Sequence, residues 1–316
     1  MPRIIADTPL APNVLALLTP HVEVLPWPKP TDGPLPVDAV YTYGHPRVDG
    51  ALLDRLPGVR VISNFGVGVD HIDVPEAAAR NIPVGNTPGV LDGATADMAF
   101  ALLLAAGRRL AEGDRYARGP DFLRYDPGYM LGREIHGTTL GIIGLGRIGE
   151  QVARRARGFD MKVLYHNRRR RPEVETALGV SYASFDDLLG AADYVVLTVP
   201  LTAETRGLIG RSAFKHMRPT TILVNVARGP VVDQEALAEA LSKRQIYAAA
   251  LDVTDPEPLP RDHPLLRLDN LTITPHLGSA TEQTRQRMAE ISLENLLAGL
   301  QGRPLKHEVR PASKAE

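Results

Sequence analysis

Three residues able to move a proton or hold an anion stand directly behind apolar, β-branched segments in the second half of the chain: Arg228 after TILVNVA, Glu257 after YAAALDVTDP and His276 after LTITP. Imidazole is the side chain whose ordinary pKa lies nearest neutrality, and an adjacent carboxylate raises that pKa and orients the ring. A guanidinium stays charged and grips a carboxylate through parallel hydrogen bonds. Together the three types suit a reaction in which negative charge develops on a carbonyl oxygen, which calls for a proton donor and a fixed cation. Each alone is ordinary: an arginine in a loop is usually solvated, a glutamate between two prolines can serve only a turn, and eight other histidines compete with His276. What sets them apart is their shared place just past the C-terminal ends of expected parallel strands, where open α/β sheets present ligand-binding residues.

A glycine-rich turn supplies the partner chemistry. GIIGLGRIGEQVARR places Gly144, Gly146 and Gly149 as GxGxxG, after an apolar strand and before a helical period. The first glycine permits the tight turn, the second lets a pyrophosphate approach the backbone, and the third lets helix and strand pack closely; the helix N-terminus then offers free N–H groups to the anion. Leu145, Arg147 and Ile148 complete this expected dinucleotide loop. The next strand, MKVLYH, ends about 20 residues later, where an NAD site usually carries an acidic residue for the ribose 2′-hydroxyl. Asn167 stands there instead, followed by Arg168, Arg169, Arg170 and Arg171. With no carboxylate to repel a 2′-phosphate and with Arg168 and Arg169 to bind it, NADPH is expected to be preferred by at least about tenfold, with NADH possible. Arg170 and Arg171 stay open between that role and a solvated face. Beside a nicotinamide, the Arg–Glu–His set specifies a 2-oxo acid: the arginine polarises the carbonyl and binds the neighbouring carboxylate while the histidine gives a proton.

The elements that must hold these groups alternate. Short β-branched runs (RIIA, VEVL, AVYTY, VRVIS and IPV) are separated by helix-like stretches such as VDGALLDRL, the βαβ rhythm of a parallel sheet. A long helix is expected over residues 95–110, then a charged, irregular piece over 111–137. The rhythm restarts at TTLGIIG, continues through MKVLYH and DYVVLTVP, and ends in three more strands read as buried, TILVNVA, YAAALDV and LTITPH. Asp233 is placed to N-cap the helix DQEALAEALSK. A last helix over 281–300 is expected to return to the first unit, and the tail RPASKAE to fray.

Composition removes other classes. The 316 residues carry 36 Lys plus Arg against 37 Asp plus Glu, a formal charge of −1, which leaves no broad basic field for nucleic acid. The longest apolar stretch, MAFALLLAA, is about half of the roughly 20 residues that span a bilayer, and the N-terminus lacks a signal-peptide pattern, so a cytoplasmic protein without membrane contact is expected. With no cysteine there is no disulfide, thiolate metal site or cysteine nucleophile, and no metal is expected. The length fits two domains.

GIIGLGRIG, NVARGPVVDQEAL, ALDVTDPEPLP, HPLLRLDNLTITPHLGSAT and NFGVGVDHID resemble, in order and spacing, the D-isomer-specific 2-hydroxyacid dehydrogenase family, from about residue 40 to the end and with most likeness to the glyoxylate and hydroxypyruvate reductases. The resemblance implies an α/β fold in which a Rossmann dinucleotide-binding domain, residues 98–283 with a dimerisation arm, is inserted into a smaller flavodoxin-like substrate domain, residues 1–97 plus 284–316. It further implies that Arg228 anchors the substrate, that Glu257 pairs with His276 as acid/base, and that Val67 and Gly68 cradle the substrate carboxylate. Asp252 would sit by the nicotinamide carboxamide, and Thr95, Val199, Pro200 and Gly278 would line the cofactor. A homodimer is implied too, without the arm tryptophan of some relatives, because Trp27 is the only tryptophan. The implied reaction is reduction of glyoxylate, hydroxypyruvate or a similar small 2-oxo acid to the D-2-hydroxy acid. The alternatives are a larger 2-oxo acid (2-ketogluconate or an aryl pyruvate) in the same family, or a dinucleotide-sensing, co-repressor-like protein.

Overall fold

The computed structural model describes residues 1–7, 9–29, 31 and 33–311. In chain order its elements are β1 (Arg3–Ala6), α1 (Pro12–Leu18), β2 (Glu23–Pro26), β3 (Ala39–Thr42), α2 (Gly50–Asp54), β4 (Val61–Asn64), α3 (Val74–Ala79) and β5 (Val84–Gly85). They are followed by α4 (Asp92–Gly107), α5 (Leu110–Arg118), β6 (Thr139–Ile143), α6 (Arg147–Ala156), β7 (Lys162–His166), α7 (Pro172–Leu178), β8 (Ser181–Tyr182), α8 (Phe185–Ala191) and β9 (Tyr194–Leu197). The chain ends with α9 (Arg211–His216), β10 (Ile222–Asn225), α10 (Gln234–Ser242), β11 (Ala248–Leu251), β12 (Leu271–Ile273), α11 (Glu282–Leu300) and β13 (Glu308–Val309). Two compact units result: Met1–Leu91 with the segment from Thr281 onward, and Asp92–Ala280. The chain crosses between them at 91–92 and 280–281, where the sequence suggests 97–98 and 283–284.

In the first unit the strands run β2-β1-β3-β4-β5, all parallel, with β13 antiparallel on β5. That is the flavodoxin-like order. Asp49 and Asp73 start α2 and α3 by accepting from Leu52 N and Glu76 N. The last helix, α11, capped by Thr281, lies so close to β4 that a β-carbon at Gly299 would meet Val61 at 2.4 Å.

In the second unit seven parallel strands run β12-β11-β10-β9-β6-β7-β8. Consecutive residues of the inner strands enter opposite cores: Ile142 and Val224 join α4 and α6 on one face, Ile143 and Leu223 join α8, α9 and α10 on the other. A sheet covered on both faces gives continuous apolar runs rather than alternation, as GIIG and ILVN do. Strand order reverses at β6 and β9, the switch point of a doubly wound sheet, where ligands enter beyond the carboxyl ends.

Three expectations need correction. The long helix is α4, from Asp92 to Gly107, and it stops before Arg109, whose φ of 52° lies in the left-handed region. The segment from 111, read as irregular, opens instead with α5, held by the Arg109–Glu112 and Arg118–Asp114 ion pairs and burying no side chain. The strand LTITPH, read as buried, is the half-exposed edge strand β12. Asp233 does cap α10, accepting from Ala236 N. The frayed tail falls, from residue 312, outside the described residues.

Among the described residues, no helix is long and apolar enough to cross a membrane.

Candidate active site

The glycine turn after β6 has the shape its letters require. Gly144 adopts φ +103°, open chiefly to glycine, and a β-carbon there would collide with Val199 at 2.8 Å. At Gly149 a β-carbon would lie 2.4 Å from the Gly144 carbonyl oxygen, so the third glycine lets α6 press against the turn. Around Gly146, by contrast, the space for a β-carbon is open. That free approach, at a helix N-terminus without a side-chain cap, fits the pyrophosphate of a dinucleotide. Thr198, closing β9, donates to Gly144 O at 2.7 Å and brings Val199 against the turn, with exposed Pro200 next to it. Arg147 pairs with Asp92 at 2.9 Å, and Ile148 packs partly buried against the core.

Asn167, beyond β7, folds back on the same turn, its Oδ1 accepting from Leu145 N at 2.6 Å. The four arginines after it divide. Arg170 forms a two-pronged pair with Glu175 at 2.8 and 2.7 Å. That guanidinium, then the Tyr165 hydroxyl, holds the Glu175 carboxyl down at about 2. Arg171 binds Glu150, Glu173 and the Leu145 carbonyl. No hydrogen bond among the described residues engages the side chains of Arg168 or Arg169, although the Arg168 charge acts on the Glu204 carboxylate.

At the ends of β10, β11 and β12 the remaining groups converge. His276 Nδ1 lies 2.8 Å from Glu257 Oε1, with the imidazole 28% and the carboxylate 39% exposed, so the pair is fixed yet open to solvent. His276 has a left-handed backbone (φ 55°), a region that residues with a β-carbon enter uncommonly. Buried Asp252 holds it there: its carboxylate accepts from Thr274 Oγ1 at 2.6 Å and from the amides of Leu277 and Gly278 at 2.7 Å, while its carbonyl accepts from His276 N at 2.8 Å. Thr95 of α4 lies beside Gly278, at 3.4 Å from where a β-carbon would be. Half-buried Arg228 follows β10 in a turn whose carbonyl accepts from buried Asn225 Nδ2 at 2.9 Å.

Three positions that sequence reading passed over maintain this spacing. At Gly229 a β-carbon would stand 2.0 Å from the Thr254 carbonyl oxygen, so the turn after Arg228 rests directly on the backbone leading to Glu257. Gln234 clamps that backbone, donating to the Asp255 carbonyl and accepting from its amide at 3.2 Å. Asn225 is the third. Gly229, next to Pro230, carried a turn signal; Asn225 shapes its own turn through Ala227 N and the Arg228 carbonyl, and Gln234 carried no signal, its partner lying 21 residues away.

Four of the competing histidines, those of the second unit, have other partners: His136 and His216 in loose surface pairs with Asp160 and Asp186, His263 capping a short 3-10 turn, His166 facing the Ala183 carbonyl. No cluster of three metal-ligating side chains occurs among the described residues.

In the first unit, the loop after β4 has its carbonyls tied back: Asn64 Nδ2 donates to Gly66 O and Gly68 O, and Asn86 Nδ2 to Val67 O. No hydrogen bond among the described residues engages the amides of Val67 and Gly68.

Comparison with known proteins agrees with this arrangement. Residues 100–278 match the family described as D-isomer specific 2-hydroxyacid dehydrogenase, NAD binding domain. The chain is 44% identical to a glyoxylate reductase of Thermococcus kodakarensis over 94% of its own length and 92% of that protein's, and 50% identical to one of Korarchaeum cryptofilum over 81% and 77%. In structure it resembles an NADPH-dependent glyoxylate/hydroxypyruvate reductase of Sinorhizobium meliloti, solved with NADP and malonate, with TM-score 0.88, 32% identity and 99% of each chain covered. The inserted dinucleotide domain, the glycine turn and these similarities together make the chain a member of the D-isomer-specific 2-hydroxyacid dehydrogenase family, similar to its glyoxylate reductases.

Proposed function

We propose that this chain is an NADPH-preferring reductase of small 2-oxo acids, glyoxylate and hydroxypyruvate first, giving D-2-hydroxy acids. The observation that carries the reading is the His276–Glu257 pair at 2.8 Å, on the same end of the sheet as the glycine turn. A bound, reduced nicotinamide would supply the hydride. Gly144 to Gly149, Asn167, Val199, Pro200, Thr95, Asp252 and Gly278 are the residues that would hold the cofactor. His276 donates a proton to the carbonyl oxygen, and Glu257, 2.8 Å from Nδ1, keeps the ring oriented. Arg228 fixes the substrate carboxylate and polarises the carbonyl; that Val67 and Gly68 cradle the carboxylate rests on the family resemblance alone.

NADPH preference is supported by Asn167 standing where an acid would repel a 2′-phosphate, and by the engagement of Arg170 and Arg171 with glutamates, which leaves Arg168 and Arg169 for recognition. Homodimerisation is supported by the segment 110–131, which carries six of the eleven exposed large apolar side chains among the described residues: Leu110, Phe122, Leu123, Tyr125, Tyr129 and Leu131. Such a concentration calls for a covering surface; sedimentation as a monomer at micromolar concentration would count against it.

The direct test is a set of initial rates of NADPH and NADH oxidation with glyoxylate, hydroxypyruvate, hydroxyphenylpyruvate and 2-ketogluconate. Fast turnover with NADPH and the two smallest acids is expected. Equal use of NADH would return Arg168 and Arg169 to solvated charges, and preference for a larger acid would move the substrate assignment.

A further inference from the structure

The peptide groups of Leu145, the second residue of the glycine turn, are held from both sides. Its amide donates to Asn167 Oδ1 at 2.6 Å; its carbonyl accepts from Arg171 Nη1 at 2.9 Å and Asn167 Nδ2 at 3.3 Å. The same Arg171 Nη1 lies 2.7 Å from Glu150 Oε1, in the first turn of α6. Arg171 is itself anchored, its amide donating to the Tyr165 hydroxyl at 2.7 Å just before α7 begins.

Two features of this geometry concern an anion. A carbonyl oxygen in the turn that receives a pyrophosphate repels it unless directed elsewhere, and here a guanidinium takes it. A carboxylate in the first turn of a helix stabilises the empty helix end but opposes a second anion there. Arg171 offsets the charge of Glu150, and with the guanidinium only 35% and the carboxylate 26% exposed, water screens the pair incompletely.

We propose that Arg171 is a positioning residue for the pyrophosphate half of the dinucleotide site: with Asn167 it fixes the Leu145 peptide, and it neutralises Glu150. The arginine run then splits by task. Arg168 and Arg169 read the 2′-phosphate, Arg170 secures α7 through Glu175, and Arg171 shapes the turn for any dinucleotide, phosphorylated or not. This rests on the dinucleotide reading of the glycine turn, and it stands apart from the NADPH preference, since a pyrophosphate is common to both cofactors.

The test is equilibrium binding, read by fluorescence or calorimetry, of NADPH, NADH, ADP-ribose and 2′-AMP to the full chain and to Arg171→Met, Arg171→Met/Glu150→Gln and Arg171→Lys. Loss of a charge-assisted bond together with exposure of Glu150 predicts that Arg171→Met weakens NADPH, NADH and ADP-ribose alike, by about ten- to thirtyfold, with the NADPH-to-NADH ratio kept. 2′-AMP, which has no pyrophosphate, should change by less than about threefold, and adding Glu150→Gln should recover about fivefold of the loss. A merely structural role would weaken 2′-AMP as well and would not be rescued by Glu150→Gln. If Arg171→Met does not fold, Arg171→Lys, which keeps the charge but loses the planar fork whose Nε also binds Glu173, should show the same parallel loss at about three- to tenfold. Weakening of NADPH alone would make Arg171 a 2′-phosphate contact and overturn the proposal, as would a Kd for NADH unchanged in a folded variant. Equal binding of both cofactors by the unaltered chain would sink the NADPH preference while leaving the parallel loss to decide this proposal.

Discussion

Replacing Gly229 by alanine tests whether the reacting groups depend on how closely two loops pack. The new β-carbon would lie 2.0 Å from the Thr254 carbonyl oxygen, 2.1 Å from its carbon and 2.7 Å from Asp255 N. All three are backbone atoms, so no side chain can swing aside. Relief to 3.0 Å, the shortest contact real β-carbons show, takes 1.0 Å of separation from the present 2.0 Å. That movement shifts Arg228, one residue away, against the strand of backbone carrying Glu257, and through Glu257 the ring of His276. A misplacement of about 1 Å at a reacting group costs roughly 10²-fold in rate, and overpacking costs about 1–3 kcal/mol in stability. The expected result is a fall of about 10²-fold in kcat/KM for glyoxylate, with the Kd for NADPH within about twofold because the glycine turn follows β6, two strands from β10. The assay pairs steady-state rates with cofactor titration by NADPH fluorescence. A folded variant within about threefold of the parent rate would refute the idea that this contact sets the geometry.

Asp252→Asn keeps the shape but loses acceptor capacity against the Leu277 and Gly278 amides and the Thr274 hydroxyl; it should lower stability by about 2–4 kcal/mol and kcat by at least tenfold, measured by denaturant unfolding and steady-state rates, and a neutral variant would remove Asp252 as the hub of the His276 loop. The double change Arg168→Ser/Arg169→Ser should raise the Kd for NADPH at least about tenfold while leaving NADH within about threefold, and a parallel loss of both would contradict the division of the arginine run. The Glu175 carboxyl is held at about 2 against an ordinary 4.5, so the stability contributed by its contacts with Arg170 and Tyr165 is complete above about pH 4.5 and disappears as the pH falls toward 2. Glu175→Gln should therefore be less stable than the parent near neutrality, with a gap that narrows through that window in urea unfolding; a gap independent of pH would deny the contacts.

Much of the second unit was legible because burial on both faces of its sheet produces apolar runs that no loop can sustain, and because the requirements at Gly144 and Gly149 are steric and local. What escaped was of two kinds. Helix α5 buries no side chain, so apolar periodicity never marks it, and Gly113 in its middle argues against a helix; only its ion pairs and the left-handed residue Arg109 define it. Strand β12 has the composition of a buried strand, but its place at the sheet edge follows from strand order, which composition does not encode. At the site, the chemical residues were readable from their position after strands, whereas their supports were not. Gln234 and Arg171 act on atoms 21 and 26 positions away, and nothing at their own place in the chain announces the partner, whereas Asn225 acts within its own turn. The left-handed backbone of His276 is likewise imposed from outside, by Asp252.

The central claim, that His276 paired with Glu257 supplies the proton in reduction of a small 2-oxo acid, is tested most directly by His276→Ala. Its kcat with NADPH and glyoxylate and its Kd for NADPH would be measured side by side. The account predicts a kcat lower by roughly 10² to 10⁴ with cofactor affinity nearly unchanged. A loss of less than about tenfold would contradict it and take His276 out of the chemistry.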